Sequence, residues 1–231
     1  MLINIELTNT VMIVKVTYMD TVSTHHPLLN ALRLLLSGTL AIAALVLAIQ
    51  RGHTDAWLVF LAFSWFLLGD FTLPAAYKRI PSQRRFLSRA VCNAVGCICL
   101  FAVFDRYSGM NAHIWNLGFF IMLVIAALIT VWIYVKWIAR AQPVLWRFAL
   151  LDSLLVAFAL AGAVGLLFAG HASGYLALCG MLLFAFKEFL FNRAVLSQRT
   201  MNLQDMTILL LTGAFGVCIL VSGSISFLTI P

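Results

Sequence analysis

Four ionisable side chains lie inside apolar stretches of this chain, where a charge is expensive. They are Asp70, Asp152 and the adjacent pair Lys187 and Glu188. An ionisable group in hydrocarbon is rare and marks a functional site or a buried pair. Two carboxyl groups facing one partly dry pocket can divide the roles of acid and base, because burial keeps one neutral while the other stays ionised. That division suits reactions through an oxocarbenium-like cation, such as cleavage of acetals or enol ethers.

The composition indicates a membrane protein. Of the 231 residues, 63% are hydrophobic and only 10% are charged. A soluble domain is about half apolar and about a quarter charged, so lipid must be the solvent for most of this surface. The net charge of +7 does not indicate nucleic-acid binding, because the basic residues stand at the ends of apolar runs.

Seven apolar runs follow one another along the chain, and all but the third are of about the length that crosses a bilayer. The third is short, but it can be extended at its start by Ser88 and Arg89. They lie at roughly 34–50, 56–73, 90–104, 114–135, 148–169, 175–191 and 207–230. Backbone polar groups in hydrocarbon must be satisfied within the segment, so each run is expected to be a helix. The sequence therefore predicts an all-α, polytopic transmembrane helix bundle of about seven spans over residues 28–231.

Residues 1–27 differ from the rest of the chain. Their apolar core is short, Lys15 interrupts it, and the start lacks the basic residues and cleavage site of a signal peptide. We expect an interfacial or packed segment that stays on the protein. An eighth span is the alternative.

Basic residues alternate between the two sides of the predicted bundle. With the N-terminus in the cytoplasm, the inner segments and their flanks hold Lys15, Arg33, Lys78, Arg79, Arg84, Arg85, Arg89, Lys136, Arg140, Arg147, Lys187, Arg193 and Arg199. The outer side holds only Arg51 and Arg106. The positive-inside rule then places the N-terminus in the cytoplasm and the C-terminus outside.

This topology brings the intramembrane polar residues to one depth. The second and sixth runs cross from outside to inside, and Asp70 and Glu188 lie near their inner ends. The third and fifth runs cross the other way, with Asn93 and Asp152 near their starts, and Asn192 follows Glu188 by four residues. We expect one polar layer within about two helical turns of the cytoplasmic boundary.

Ordinary pairing is the alternative explanation for these charges. Lys187 can extend to the interface, and Asp152 can pair with Arg147 or with Lys187. Adjacent helical residues point about 100° apart, so Lys187 and Glu188 are expected to find separate partners.

Other features indicate packing and no further chemistry. Ala157, Ala161 and Gly165 recur every four residues and predict a flat face for close helix approach. No catalytic or phosphate-binding motif and no histidine cluster occurs. All the cysteines fall in apolar runs without a CxxC pair: Cys92, Cys97, Cys99, Cys179 and Cys218. The sequence therefore predicts neither a metal nor a cofactor.

Two short motifs resemble those of a known family. Residues 63–73, FSWFLLGDFTL, resemble the glycine-aspartate motif of the YhhN-like lysoplasmalogenase family of membrane proteins. Residues 180–193, GMLLFAFKEFLFNR, take the place of that family's second acidic motif, with Lys187 where the family usually has serine. The resemblance covers roughly residues 28–230.

The resemblance implies a multi-helix hydrolase that cleaves the vinyl-ether bond of lysoplasmalogens and releases a fatty aldehyde. Asp70 and Glu188 stand in the places of the two family aspartates and are the expected catalytic pair. We expect the lysophospholipid substrate to be bound by Asn93, Asp152, Lys187 and Asn192. Membrane lipids are the expected partners. Two alternatives stay open: a non-enzymatic transporter or lipid-binding module, and an assembly subunit.

The orientation gives a first testable prediction. Alkaline phosphatase fused after Pro231 should be active and green fluorescent protein fused there should be dark, because that end is expected outside. The same reporters fused after Arg199, on the predicted inner side, serve as the control and should give the opposite pattern. Fluorescence after Pro231 would contradict the orientation.

Overall fold

The computed structural model describes residues 26–72, 83–107, 117–137, 143–169, 172–197 and 202–226, and within them the secondary structure is helical. The helices are α1 (His26–Arg51), α2 (Thr54–Phe71), α3 (Gln83–Tyr107), α4 (Leu117–Trp137), α5 (Pro143–Phe168), α6 (Ser173–Ser197) and α7 (Asn202–Ser226). The third predicted run, 90–104, is extended by about two turns at its start, which brings Arg89 into the helix.

Five of the described helices are long and apolar enough to cross a membrane. Those segments are Ala31–Arg51, Thr54–Phe71, Arg84–Tyr107, Pro143–Phe168 and Ser173–Arg193. Helices α4 and α7 contain shorter apolar stretches, Leu123–Lys136 and Thr207–Gly223. The predicted all-α helical membrane bundle is thus confirmed. The prediction for residues 1–25 falls outside the described part of the chain.

Six helices close into a ring. Going around it, each helix packs on the next in the order α1, α2, α3, α5, α6, α7 and back to α1. Helix α4 stands outside this ring and packs mainly on α5. A ring of six helices leaves a central space that side chains must fill, because protein interiors are close-packed.

Aromatic side chains fill the centre of the ring. Phe63 and Phe66 of α2 meet Phe184 of α6 and Phe215 of α7, with ring centroids 4.9 Å apart for Phe66 and Phe184 and 4.6 Å apart for Phe184 and Phe215. Gly96 of α3 faces this group, where any Cβ atom would overlap the Phe66 ring. We call the four phenylalanines the aromatic plug.

A tight contact between α5 and α6 gives a test of the fold. A Cβ atom on Gly174 would lie 2.7 Å from the Leu167 backbone, so Gly174→Ala forces backbone to move. We expect it to lower the free energy of unfolding by about 1–3 kcal/mol, measured by denaturation in detergent micelles.

Gly38→Ala is the matched control, since nothing lies within 4 Å of its added methyl group. Because alanine favours a helix over glycine, this variant should be neutral or more stable by up to about 1 kcal/mol. Equal effects at both glycines would contradict the α5–α6 contact.

Candidate functional site

A belt of buried polar side chains crosses the bundle on one side of the aromatic plug. It lies in the N-terminal halves of α1, α3 and α5 and the C-terminal halves of α2, α4 and α6. We call it the polar layer: Arg33, Ser37, Asp70, Arg89, Asn93, Tyr134, Asp152, Lys187, Glu188 and Asn192. Asp70 and Glu188 each follow a plug residue by four positions, and so lie about one turn beyond Phe66 and Phe184.

Glu188 is the most heavily paired group of the layer. Arg89 Nη2 donates to both of its carboxylate oxygens, at 2.6 Å and 2.8 Å, and Lys187 Nζ lies 3.2 Å from Glu188 Oε1. Both cations also sit against rings, Arg89 at 3.8 Å from the Phe191 centroid and Lys187 at 4.2 Å from the Phe184 centroid. All three charged side chains are less than 10% exposed.

This arrangement corrects two expectations. Lys187 and Glu188 were expected to find separate partners, yet the long lysine side chain bends back to its neighbour. Arg33, Arg89 and Lys187 were counted with the charges flanking the inner loops, yet the structure buries all three inside the bundle. The sequence contains a signal for this burial. Arg33 is four residues from Ser37, and Arg89 is four residues from Asn93, so each arginine shares a helix face with a polar residue of the layer.

Asp70 belongs to a second group that ties α1 to α2. Ser37 Oγ donates to Asp70 Oδ2 at 2.6 Å, and Arg33 Nε lies 3.7 Å from Asp70 Oδ1. Arg33 Nη2 also donates to the Asp70 carbonyl oxygen at 3.2 Å. A cation at this position suits the C-terminal end of α2, where the helix dipole is negative. Asp70 interacts electrostatically with Arg89, the main partner of Glu188.

Asp152 is buried in a different way. The residue is only 3% exposed. Its Oδ1 atom forms no hydrogen bond within the described part of the chain. The Asn93 amide lies beside it, but Asn93 Nδ2 also lacks a hydrogen bond there. Neither expected ion pair forms among these residues: Arg147 is exposed and Lys187 is held by Glu188.

Asn192 joins a hydrogen-bonded chain between three helices. Its Nδ2 atom donates to Tyr134 Oη at 2.8 Å, and that hydroxyl also bonds Ser153 Oγ. Asn192 and Tyr134 are almost fully buried. The chain links α6, α4 and α5 at the level of the polar layer, where a hydroxyl and an amide can bind a polar ligand group.

A cleft of about 740 Å³ lies between α4, α5 and α6. Its polar lining is grouped at one end, around Tyr134, Ser153 and Glu188. From Ser153 it extends along α5 to Val164, about 16 Å at about 1.5 Å per residue. The remaining lining is apolar apart from Thr130, whose hydroxyl bonds its own helix backbone. Such a volume is typical of small-molecule sites.

Small residues of α5 create this space. Ala157 and Ala161 line the cleft. At these two residues the flat face of α5, which was predicted to contact another helix closely, instead borders open space. The close approach of α5 to α3 uses Gly162, where a Cβ atom would lie 3.0 Å from Phe101 Cδ2. The cleft opens to the side of the bundle, because its wall residues Ile125 and Phe186 are half exposed.

The structure therefore separates the two expected catalytic residues. Glu188 lines the cleft, whereas Asp70 is not among the cleft residues and is bound to α1. Lys187 contacts Glu188, and Asp152 interacts with it electrostatically. Asn93 lies beside Asp152, and Asn192 bonds Tyr134, another cleft residue. Among the described residues, no three His, Cys, Asp or Glu side chains are grouped to hold a metal ion.

Two arginine–carboxylate pairs on α3 allow a matched test of burial. Arg89 is paired with Glu188 at 2.6 Å and is 5% exposed, while Arg106 is paired with Asp55 at 2.7 Å and is 47% exposed. Arg89→Met leaves a buried carboxylate with one cation fewer, so we expect unfolding free energy to fall by about 3–5 kcal/mol. Arg106→Met should change it by at most about 1 kcal/mol. Equal losses in detergent unfolding experiments would argue against a dry polar layer.

Comparisons with family models, with curated proteins and with solved structures find no match to this chain. Membership of the YhhN-like family therefore stays a prediction from the two short motifs.

Proposed function

We propose that the protein is a membrane-embedded hydrolase of lysoplasmalogen-type ether lysophospholipids, with Glu188 as the reacting carboxyl group. The observation that carries the proposal is the shape of the cleft, apolar over most of its length and ending on Glu188, Tyr134 and Ser153. A long apolar cleft with one polar end has the shape and polarity to hold an amphiphile with one alkyl chain. The side opening lets such a molecule enter from the bilayer.

The polar layer supplies a place for the headgroup. Arg89 and Lys187 both contact Glu188, and both a guanidinium and an ammonium group bind phosphate. If the N-terminus is cytoplasmic, this layer lies near the inner face of the membrane, where a lysophospholipid headgroup from the inner leaflet resides.

The proposed reaction consumes one water molecule. A proton adds to the vinyl carbon remote from oxygen, and the resulting oxocarbenium ion takes up water to give a hemiacetal. Its breakdown releases a fatty aldehyde and the free glycerol hydroxyl, and returns the proton. A carboxylate beside the cleft stabilises the cation, and a carboxylic acid nearby provides the proton.

Asp70, the second carboxyl group implied by the family resemblance, has an indirect place in this scheme. It is not a cleft residue, but it interacts with Arg89, the main partner of Glu188. We therefore propose that Asp70 tunes the charge of the layer and does not contact the reacting bond.

A lipid-binding module without chemistry is the second candidate. The observation in its favour is that two cations hold Glu188, which makes that carboxylate a weak base. It predicts that a single-chain ether lipid stabilises the purified protein while no aldehyde appears.

Purified protein should release fatty aldehyde from a lysoplasmenyl lipid. Glu188→Gln is expected to lower the rate about 100-fold or more, as loss of an acid–base group does. Asp70→Asn should lower it less, because that carboxyl group does not line the cleft. Unchanged turnover in both variants would remove the catalytic assignment.

Ala157→Phe and Leu151→Phe form the control pair for this assay. The first fills the cleft and should slow turnover of long-chain substrate, whereas Leu151 faces outward and its replacement should have little effect. Lipid-dependent stabilisation without aldehyde in the unmodified protein would favour the binding module.

A further inference from the structure

The cations of the polar layer are not shared evenly among its carboxyl groups. Arg33 lies on Asp70, while Arg89 and Lys187 both lie on Glu188. No ion pair within 4.0 Å involves Asp152 among the described residues, although its residue is only 3% exposed. Within the described part of the chain, the third carboxyl group of the layer is therefore buried without a direct counter-charge.

Burial makes the ionised form of such a group very costly. An isolated carboxylate in an apolar environment loses its hydration, and in practice it takes up a proton instead. The nearby negative charge of Glu188 acts in the same direction. Arg89, Asn93 and Lys187 oppose this effect, but the two cations are already in direct contact with Glu188.

The surroundings of Asp152 contain no further strong base or cation among the described residues. The groups that interact with it are Arg89, Asn93 and Cys97 of α3, Tyr134 of α4, and Lys187 and Glu188 of α6. Within the described part of the chain, its Oδ1 atom lacks the hydrogen bond that an ionised oxygen would require in a dry interior.

We propose that Asp152 is a neutral carboxylic acid and the proton-holding site of the polar layer, next to an ionised Glu188 that lines the cleft. Asp152 is itself not a cleft residue, so it acts as a proton reservoir through Glu188. The use of this proton in ether hydrolysis rests on the proposed function, whereas the protonation of Asp152 does not.

The cations of the layer keep this proton on Asp152, because the negative charge then stays on Glu188, which both Arg89 and Lys187 contact. When a proton passes from Asp152 to Glu188, one negative charge moves between neighbouring buried carboxyl groups and the total charge stays the same. With Asp152 neutral, the three cations of the layer face two carboxylates, a formal surplus of one positive charge. That surplus favours a ligand with an anionic group, such as the phosphate of a lysophospholipid.

Infrared spectroscopy of the full-length protein in lipid bilayers tests the proposal. At neutral pH we expect a C=O band of a protonated carboxyl group that shifts on transfer to D₂O. The band should disappear in Asp152→Asn and stay in the matched variant Asp70→Asn, whose carboxylate is paired with Arg33. A band that stays in Asp152→Asn, or that is absent from the unmodified protein, would overturn the proposal.

Isotope labelling covers the case in which Asp152→Asn does not fold. With ¹³C-labelled aspartate in the unmodified protein, the band should move to lower frequency, and a band that does not move belongs to glutamate and contradicts the proposal. The band does not depend on turnover. Its presence without aldehyde release refutes only the hydrolase, and aldehyde release without the band refutes only this inference.

Discussion

A guanidinium and a carboxylate from two helices that are not neighbours in the six-helix ring meet in its interior, and the polar layer is organised around this pair. Arg89 reaches across from α3, and Glu188 comes from α6, which is not next to α3 in the ring. Both side chains are at most 5% exposed. A buried ion pair gains little stability over apolar residues, because desolvation offsets the attraction. Its presence therefore points to a role beyond holding the bundle together.

The aromatic plug gives the pair its dry environment. Phe184 belongs to the plug and also contacts the Lys187 ammonium group, while Phe191 covers the Arg89 guanidinium from the other side. These contacts stabilise cations without water, since an aromatic face carries partial negative charge. The side chains of Arg89, Lys187 and Glu188 are less than 10% exposed, so each charge depends on its protein partners. Among the described residues Asp152 forms no ion pair, and this is the reason for its proposed neutral state beside an ionised Glu188.

The position of α4 outside the ring creates the cleft that leads to these charges. Because α4 packs outside the ring, the face of α5 that carries Ala157 and Ala161 is not filled by a neighbouring helix. The cleft that results leads from the apolar flank of the bundle to Glu188. Tyr134 of α4 closes its polar end through bonds to Ser153 and Asn192. A single-chain lipid is the ligand class that we propose for this combination.

The sequence by itself determined the membrane class, the helices and the common depth of Asp70, Asn93, Asp152 and Glu188. Those properties follow from hydropathy and from the direction of each helix, which are local features of the chain. Only the tertiary structure decided which charges meet. The order of helices around the ring and the rotation of each about its axis depend on packing between distant segments. Helix order and rotation pair Arg89, which the sequence placed among the flanking charges, with Glu188. They pair Asp70 with Arg33, away from the cleft.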